Sequence, residues 1–524
     1  MSNNLTTLFT GILLLSASSK RFVQCLLDKT FRSIDLGVPT PYFIQKMQQL
    51  VMEGFSMSET KQLAEFVANL SFDDLPIEVV ERIKFLIMDT VGISIRAMHD
   101  SESTPSLLAA SQVMGYLGGQ CRVIGTHNKY TPAGAAMING TLAHSLDFDD
   151  THAAGSIHAS APIIPAALAA AEMVGADGKK VITAIAAGYE VQIRLSLSLN
   201  PSDHYKRGYH PSATCGTFGA AASAGLIFGL NADDIASAFG IAECQTSGSM
   251  RFLADGAWTK RFQVGYSGHN GLIAATLAKE GFVGPMGSIE GKDGFLQSYA
   301  PSPDISRAAA DLGAVWETMN IAVKPYPSCR YSHSAMGAIA AMRTENNISI
   351  EDVEKVEVGL PHTGWRIIGE TDESKRKPTG AVDGQFSMPF CGAVVLREGT
   401  MGWDDYDKHL NDNDTLALAA KFTTVTDPWA ESEYPDNMAG IVRIKTSRDS
   451  FEHSVTVPKG EPENFMTDAE ARSKFDDLVA PYLSEKQRNA LVSEMLTLEK
   501  SSSVDAVLNL TCSGEQGLRM AGED

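Results

Sequence analysis

Cysteine is sparse and unpatterned: seven residues in 524, spread from Cys25 to Cys512, with no CxxC pair. This excludes a disulfide framework and a thiolate metal cluster, and it suits a reducing compartment. No GxGxxG follows a strand pattern and no GxxxxGK[ST] occurs, so the usual backbone cradles for dinucleotides and nucleotide phosphates are missing. HExxH and GxSxG are absent as well, which removes a helical zinc-hydrolase signature and a serine nucleophile elbow. The apolar stretch Leu8–Leu15 is too short to cross a bilayer. Positive charge is in deficit: 43 Lys+Arg against 63 Asp+Glu leave a net −20. Such a surface repels a phosphate polyanion, which argues against nucleic-acid binding. A small anionic substrate is still allowed, because a few cations in a cleft set the local potential.

The hydrophobic fraction of 44% and charged fraction of 20% are those of a globular protein long enough for more than one domain. The ends differ from the body. Residues 1–57 form an N-terminal extension, either poorly ordered or targeting. Lys20, Arg21, Lys29 and Arg32 give it a faint transit-peptide character, so the expected setting is cytoplasmic with a mitochondrial alternative. Ser513–Asp524 is polar and reads as a disordered tail.

From Ser58 the spacing is helical. Leu63, Phe66, Val67 and Leu70 share one face, and Val79, Val80, Ile83, Leu86 and Ile87 share another after an Asp73-Asp74-Leu75-Pro76 break. Ala-rich segments at 166–174, 180–197, 212–228, 232–243 and 270–280 follow, with Gly175, Gly229 and Gly240 as punctuation. After about residue 318 the pattern changes. Val353–Leu360, Ile441–Lys445 and Ser450–Val457 alternate like strands, and the last two can pair through Ser447-Arg448-Asp449. Helices are expected at 333–345 and 383–397, and a helix resumes from Thr467. The expected fold is mainly α: a helical domain at 58–318 completed by 459–512, with a smaller α+β domain inserted at 319–458.

Four clusters carry chemistry-bearing side chains. Asp147, Asp149, Asp150, His152 and His158 fall within twelve residues, next to Thr151. Tyr209-His210-Pro211-Ser212 precedes a Gly/Ala-rich helix, whose N-terminus offers free N–H groups to an anion. Lys260-Arg261 is a cation pair in apolar surroundings, and Lys324–His333 holds Lys324, Cys329 and Arg330. Each cluster has a structural reading too: acidic helix caps, a satisfied histidine, a surface pair, a proline-stiffened hinge. Asp147, Asp149, His152 and His158 are ligand types for a metal-dependent hydrolase, but no metal-binding spacing accompanies them, and no metal or other cofactor is expected.

Taken together, these stretches resemble the MmgE/PrpD family, which includes 2-methylcitrate dehydratases, cis-aconitate decarboxylases and an iminodisuccinate epimerase. The carrying motifs are Ala143–Thr151, Gly208–Thr214, Lys324–Cys329 and Pro458–Pro462 with Met466-Thr467, in family order across about residues 58–510. The resemblance implies a homodimer whose active site lies between a helical domain and an α+β lid. It implies catalytic roles for Asp147, His158, His210 and Lys260, and substrate contacts from Thr151, Lys324, Arg330 and Cys329. In the animal decarboxylase branch the Thr151–His158 spacing is one residue shorter, a His replaces Cys329, and a Tyr stands near Trp365. The expected function is a lyase on a small di- or tricarboxylate, foremost the dehydration of a 2-methylcitrate- or alkylcitrate-like substrate. Here His158 or His210 takes the proton, the other His or Lys260 protonates the leaving hydroxyl, and Asp147 orients the histidine. Decarboxylation of cis-aconitate is the alternative, with epimerisation and metal-dependent hydrolysis behind it.

Overall fold

A computed structural model describes residues 58–254, 256–369 and 375–512. The expectations for residues 1–57 and 513–524 lie outside those residues. The principal helices of the first part are α1 (Glu59–Asn69), α2 (Ile77–Asp100), α3 (Pro132–Ala143), α4 (Ser160–Val174), α5 (Gly178–Leu199), α6 (Pro211–Phe228), α7 (Ala232–Glu243) and α8 (Thr259–Lys279). The fold is mainly α, as composition and spacing indicate. No helix among the described residues is long and apolar enough to cross a membrane.

Small residues decide how these helices pack. Gly265 of α8 lies so close to α3 that an added Cβ would sit 2.4 Å from the Met137 carbonyl oxygen and 2.5 Å from the Thr141 nitrogen. Gly271 meets α6 in the same way, 2.6 Å from the Thr217 carbonyl oxygen. The Ala/Gly density therefore brings backbones together and buries α8 between α3 and α6. It also hid the beginning of α8. The expectation began at residue 270, whereas the helix starts at Thr259, because its first two turns carry Lys260, Arg261, Gln263 and Ser267 instead of a regular apolar stripe.

A second hydrophobic core gathers around a four-stranded sheet. Two residue pairs, β1 (Thr151–His152) and β2 (Ile321–Ala322), are antiparallel partners that bring the acidic loop beside the start of this part of the chain. Then come α9 (His333–Asn346), β3 (Val353–Leu360), α10 (Met388–Glu398), β4 (Phe422–Thr426), β5 (Gly440–Thr446) and β6 (Ser450–Val455). The sheet order is β4-β3-β5-β6, with β3 parallel to β4 and the other neighbours antiparallel. The β5–β6 hairpin forms as its alternation predicts; β4, with its Thr-rich sequence, went unread. The helix expected at 383–397 is interrupted: Ala381–Gln385 ends, and the Ser387 hydroxyl then caps α10 by accepting from Phe390 N–H. Val356, Val358, Phe390, Val394, Phe422, Val442 and Ile444 fill this core. The chain rejoins the first core through α11 (Asp468–Val479) and α12 (Glu485–Leu496), whose Phe475, Leu478, Leu491 and Met495 are buried there.

Candidate active site

The turn after α3 places most of the chemistry. Asp147 adopts φ 51°, a left-handed conformation that a non-glycine residue holds only when its surroundings compensate. Its carboxylate Oδ1 accepts from Lys260 Nζ at 2.7 Å and lies 3.3 Å from Lys324 Nζ. Burial would raise the Asp147 carboxyl pKa; the two ammonium groups outweigh it and hold the group far below the ordinary carboxylate range. Lys260 answers in kind: burial works against its charge, but Asp147 keeps its pKa above the usual value.

The sequence reading gave Asp147 the task of orienting a histidine. The structure assigns that contact to Asp149. Its Oδ2 lies 2.7 Å from His144 Nδ1 and 3.3 Å from His158 Nδ1. The Asp147 Oδ1 lies against the two lysines instead. Burial alone would raise the Asp149 pKa, yet the two imidazoles lower it well below its normal value. His144 is itself pushed down to about 4, chiefly by burial, so it is neutral near pH 7. Asp149 was considered only as a candidate metal ligand, and neither it nor His144 was given a catalytic or substrate-binding role. The signal available was their five-residue spacing across a tight turn, which looks the same as a structural pairing.

Hydrogen bonding fixes the ring tautomers. His158 Nδ1 lies 3.0 Å from the Asp150 carbonyl oxygen, which can only accept, so Nδ1 carries a proton and Nε2 is the acceptor of the neutral ring. His210 has the opposite tautomer. Gln263 Oε1 accepts from Ser249 N–H at 2.8 Å, which turns its amide NH2 toward His210 Nδ1 at 2.9 Å. His210 therefore carries its proton on Nε2. Burial and the neighbouring His144 hold its pKa well below the usual imidazole value, so it is a neutral donor. The ring centroids of His144 lie 4.5 Å from those of His158 and 6.2 Å from those of His210.

One cavity of about 290 Å³ is lined by Asp147, Thr151, His158, His210, Lys260, Lys324, Cys329 and Arg330. All eight sequence-proposed site residues thus meet here. Thr151 Oγ1 is buried and has no protein hydrogen-bond partner. The Cys329 thiol is pushed up to about 11 by burial, so it lines the cavity as a neutral group. Arg330 is less available than the sequence suggested. Its Nε bonds Glu461 Oε1 at 2.6 Å and its second terminal nitrogen pairs with Glu461 Oε2, so an incoming carboxylate would have to compete with a bidentate pair. Trp365 is not among the residues lining this cavity.

The metal-ligand set considered from sequence is dispersed: Asp147 faces lysines, and His152 Nε2 lies 3.2 Å from Glu317. Ligand-type atoms of His144, Asp149 and His158 do lie within 4.8 Å of one another. Their facing atoms are two Nδ1–H donors and the carboxylate oxygen they share, an arrangement of hydrogen bonds that a metal would have to replace.

The chain is similar to named proteins over most of its length. A cis-aconitate decarboxylase-like protein of Aspergillus oryzae is 29% identical over 486 residues, covering 87% of this chain and 97% of that protein. The cis-aconitate decarboxylase of Aspergillus terreus is 27% identical, covering 86% and 95%. The human cis-aconitate decarboxylase is 28% identical over 296 residues, 55% of this chain and 60% of its own length. The MmgE/PrpD N-terminal domain matches residues 61–308 and the MmgE/PrpD C-terminal domain residues 326–498. This chain belongs to the MmgE/PrpD family.

Proposed function

We propose that the protein is a lyase that decarboxylates a cis-aconitate-type unsaturated tricarboxylate. The observation that carries this reading is the cavity itself, where the free ring edge of His158 shares a wall with Lys260, Lys324 and the unpartnered Thr151 hydroxyl. Loss of CO2 from the substrate CH2–COO⁻ arm breaks a C–C bond and leaves its electron pair in an allylic carbanion. That pair delocalises toward the remaining carboxylates, and a proton must then be added at the far carbon. Lys260 and Lys324 supply the positive charge that steadies the carboxylates. His158, held at Nδ1 by the Asp150 carbonyl and Asp149, takes up a proton at Nε2 and delivers it to that carbon. His210 Nε2–H is placed to donate a hydrogen bond to a substrate oxygen. The names of the two Aspergillus relatives, which match along almost their whole length, turn the choice toward decarboxylation and away from the dehydration favoured by the sequence reading.

Dehydration of an alkylcitrate-like substrate is the second reading, and one observation favours it. His158, whose Nδ1 donates and leaves Nε2 facing the cavity, and His210, a donor at Nε2, are the pair that a proton abstraction with departure of hydroxide requires. In either reading the second core serves as a lid that closes the cavity, and the working form is a homodimer.

Purified protein incubated with cis-aconitate and with 2-methylcitrate, with products read by mass spectrometry, separates the readings. Loss of 44 Da (CO2) from cis-aconitate, abolished in His158→Ala, is the expected result. Loss of water from 2-methylcitrate alone moves the assignment to a hydro-lyase. Turnover of neither sinks both. Activity that survives a chelator removes metal-dependent hydrolysis.

A further inference from the structure

Three consecutive carbonyls of the site turn each receive a side-chain donor from a distant part of the chain. The Leu146 oxygen accepts from Gln385 Nε2 at 2.6 Å, the Asp147 oxygen from Lys324 Nζ at 2.5 Å, and the Phe148 oxygen from Lys474 Nζ at 3.0 Å. Lys324 already belongs to the cavity. Gln385 and Lys474 do not line it; they reach the turn from the second core and from α11. From these contacts we propose that Gln385 and Lys474 are positioning residues, which clamp the Leu146–Phe148 backbone so that Asp149 holds His158 in its working orientation.

The contacts fit a positioning role better than mere satisfaction of buried carbonyls. The turn they hold contains the left-handed Asp147, a strained conformation that relaxes unless the surroundings fix it. The Phe148 peptide leads directly into Asp149, so rotation there swings the carboxylate that both His144 and His158 face. Lys474 is anchored: it is buried, pairs with Asp89 Oδ1 of α2 at 2.6 Å, and rests 3.9 Å from the Phe148 ring centroid. Gln385 is anchored too, since its own carbonyl accepts from Cys329 N–H at 2.8 Å. Separate parts of the chain thus meet on one turn, and its geometry depends on all of them being seated.

The inference rests on the proposed acid–base role of His158, so its test needs a readout that does not require turnover. The variants are Gln385→Leu, and Asp89→Asn/Lys474→Met, which removes both charges of the buried pair and leaves neither alone; Lys474→Arg is the conservative control. ¹⁵N-histidine NMR at pH 8, with His158 assigned by its loss in His158→Gln, reports the tautomer. The expected result is a single Nδ1–H tautomer in the wild type and in Lys474→Arg, with a tautomer mixture in the other two. On cis-aconitate those two variants lose about 10-fold or more in kcat with KM within about 3-fold, while thermal unfolding shows them folded. Wild-type tautomer and kcat in folded variants would overturn the clamp. If the wild type turns over nothing but the variants still mix tautomers, the clamp stands and the functional reading falls. Should the double variant fail to fold, Gln385→Leu decides the matter by the same two measurements.

Discussion

Asp150 is buried like Asp149, but neither a lysine nor an imidazole meets its oxygens. They accept instead from Ala159 and Ser160 N–H at the start of α4, each at 3.2 Å. Burial, reinforced by the charge of Asp149, raises the group to about 7. A carboxyl bound more tightly to its proton in the folded state than in the unfolded one contributes stability that is complete below the unfolded pKa of 3.8. That contribution is lost as pH rises through about 7. Asp150→Asn keeps an acceptor for the α4 N–H groups and cannot ionise. The wild type should therefore lose about 2–3 kcal/mol relative to Asp150→Asn between pH 5 and pH 8, with the other titrating groups cancelling in the difference. Urea unfolding of both proteins at the two pH values checks this. A difference that does not change with pH would mean that Asp150 is already ionised at pH 5.

Helix packing carries the site residues more directly than the sheet does. α8 presents Lys260 and Gln263 on its first two turns, and its height above α3 is set by Gly265 against Met137 and Thr141. Alanine favours a helix over glycine by about 1 kcal/mol, so Gly265→Ala would stabilise an isolated α8. In the protein the new methyl meets backbone atoms that cannot rotate aside, and the crowding should win by about 1–3 kcal/mol. The expected outcome is a lower melting temperature together with reduced kcat/KM, because the shift that relieves the contact carries Lys260 away from Asp147. An unchanged or raised melting temperature would show that α3 yields at no cost. The same packing explains what could be read in advance. Helices with an apolar stripe and a capping residue, such as α7 after Asn231, were legible to the residue, and the alternating β5–β6 hairpin to within one or two residues at its ends. The start of α8 and the strand β4 were not, because both are held by tertiary contacts on Gly- or Thr-rich sequence that has little periodicity of its own. The site residues were legible as a set, since four separated motifs converge on one cavity. Their pairings were not. Which of three aspartates meets a lysine and which a histidine is decided by the left-handed turn at Asp147, and no spacing announces that.

At the scale of the whole molecule, the charge deficit and the proposed substrate pull in opposite directions. A net −20 repels a tricarboxylate in bulk solution, while Lys260 and Lys324 attract it once it has entered the cavity. The surface term acts over distances that salt screens, with a Debye length of about 10 Å at 0.1 M. The two lysines act at hydrogen-bond range, and Lys324 is buried, so ions in solution screen them far less. Salt should also weaken the surface repulsion and whatever attraction the cavity mouth exerts, and these effects oppose each other. Raising KCl from about 50 to about 300 mM is therefore expected to change kcat/KM for cis-aconitate by less than about 3-fold. Lys260→Met should lower the same quantity by about 10-fold or more, since it removes a cation in direct reach of a carboxylate and leaves Asp147 on Lys324 alone. Steady-state kinetics on both proteins across the salt series tests the two statements together. A steep salt dependence in the wild type that vanishes in Lys260→Met would place that lysine in a solvent-filled vestibule, where it steers the substrate inward instead of holding it.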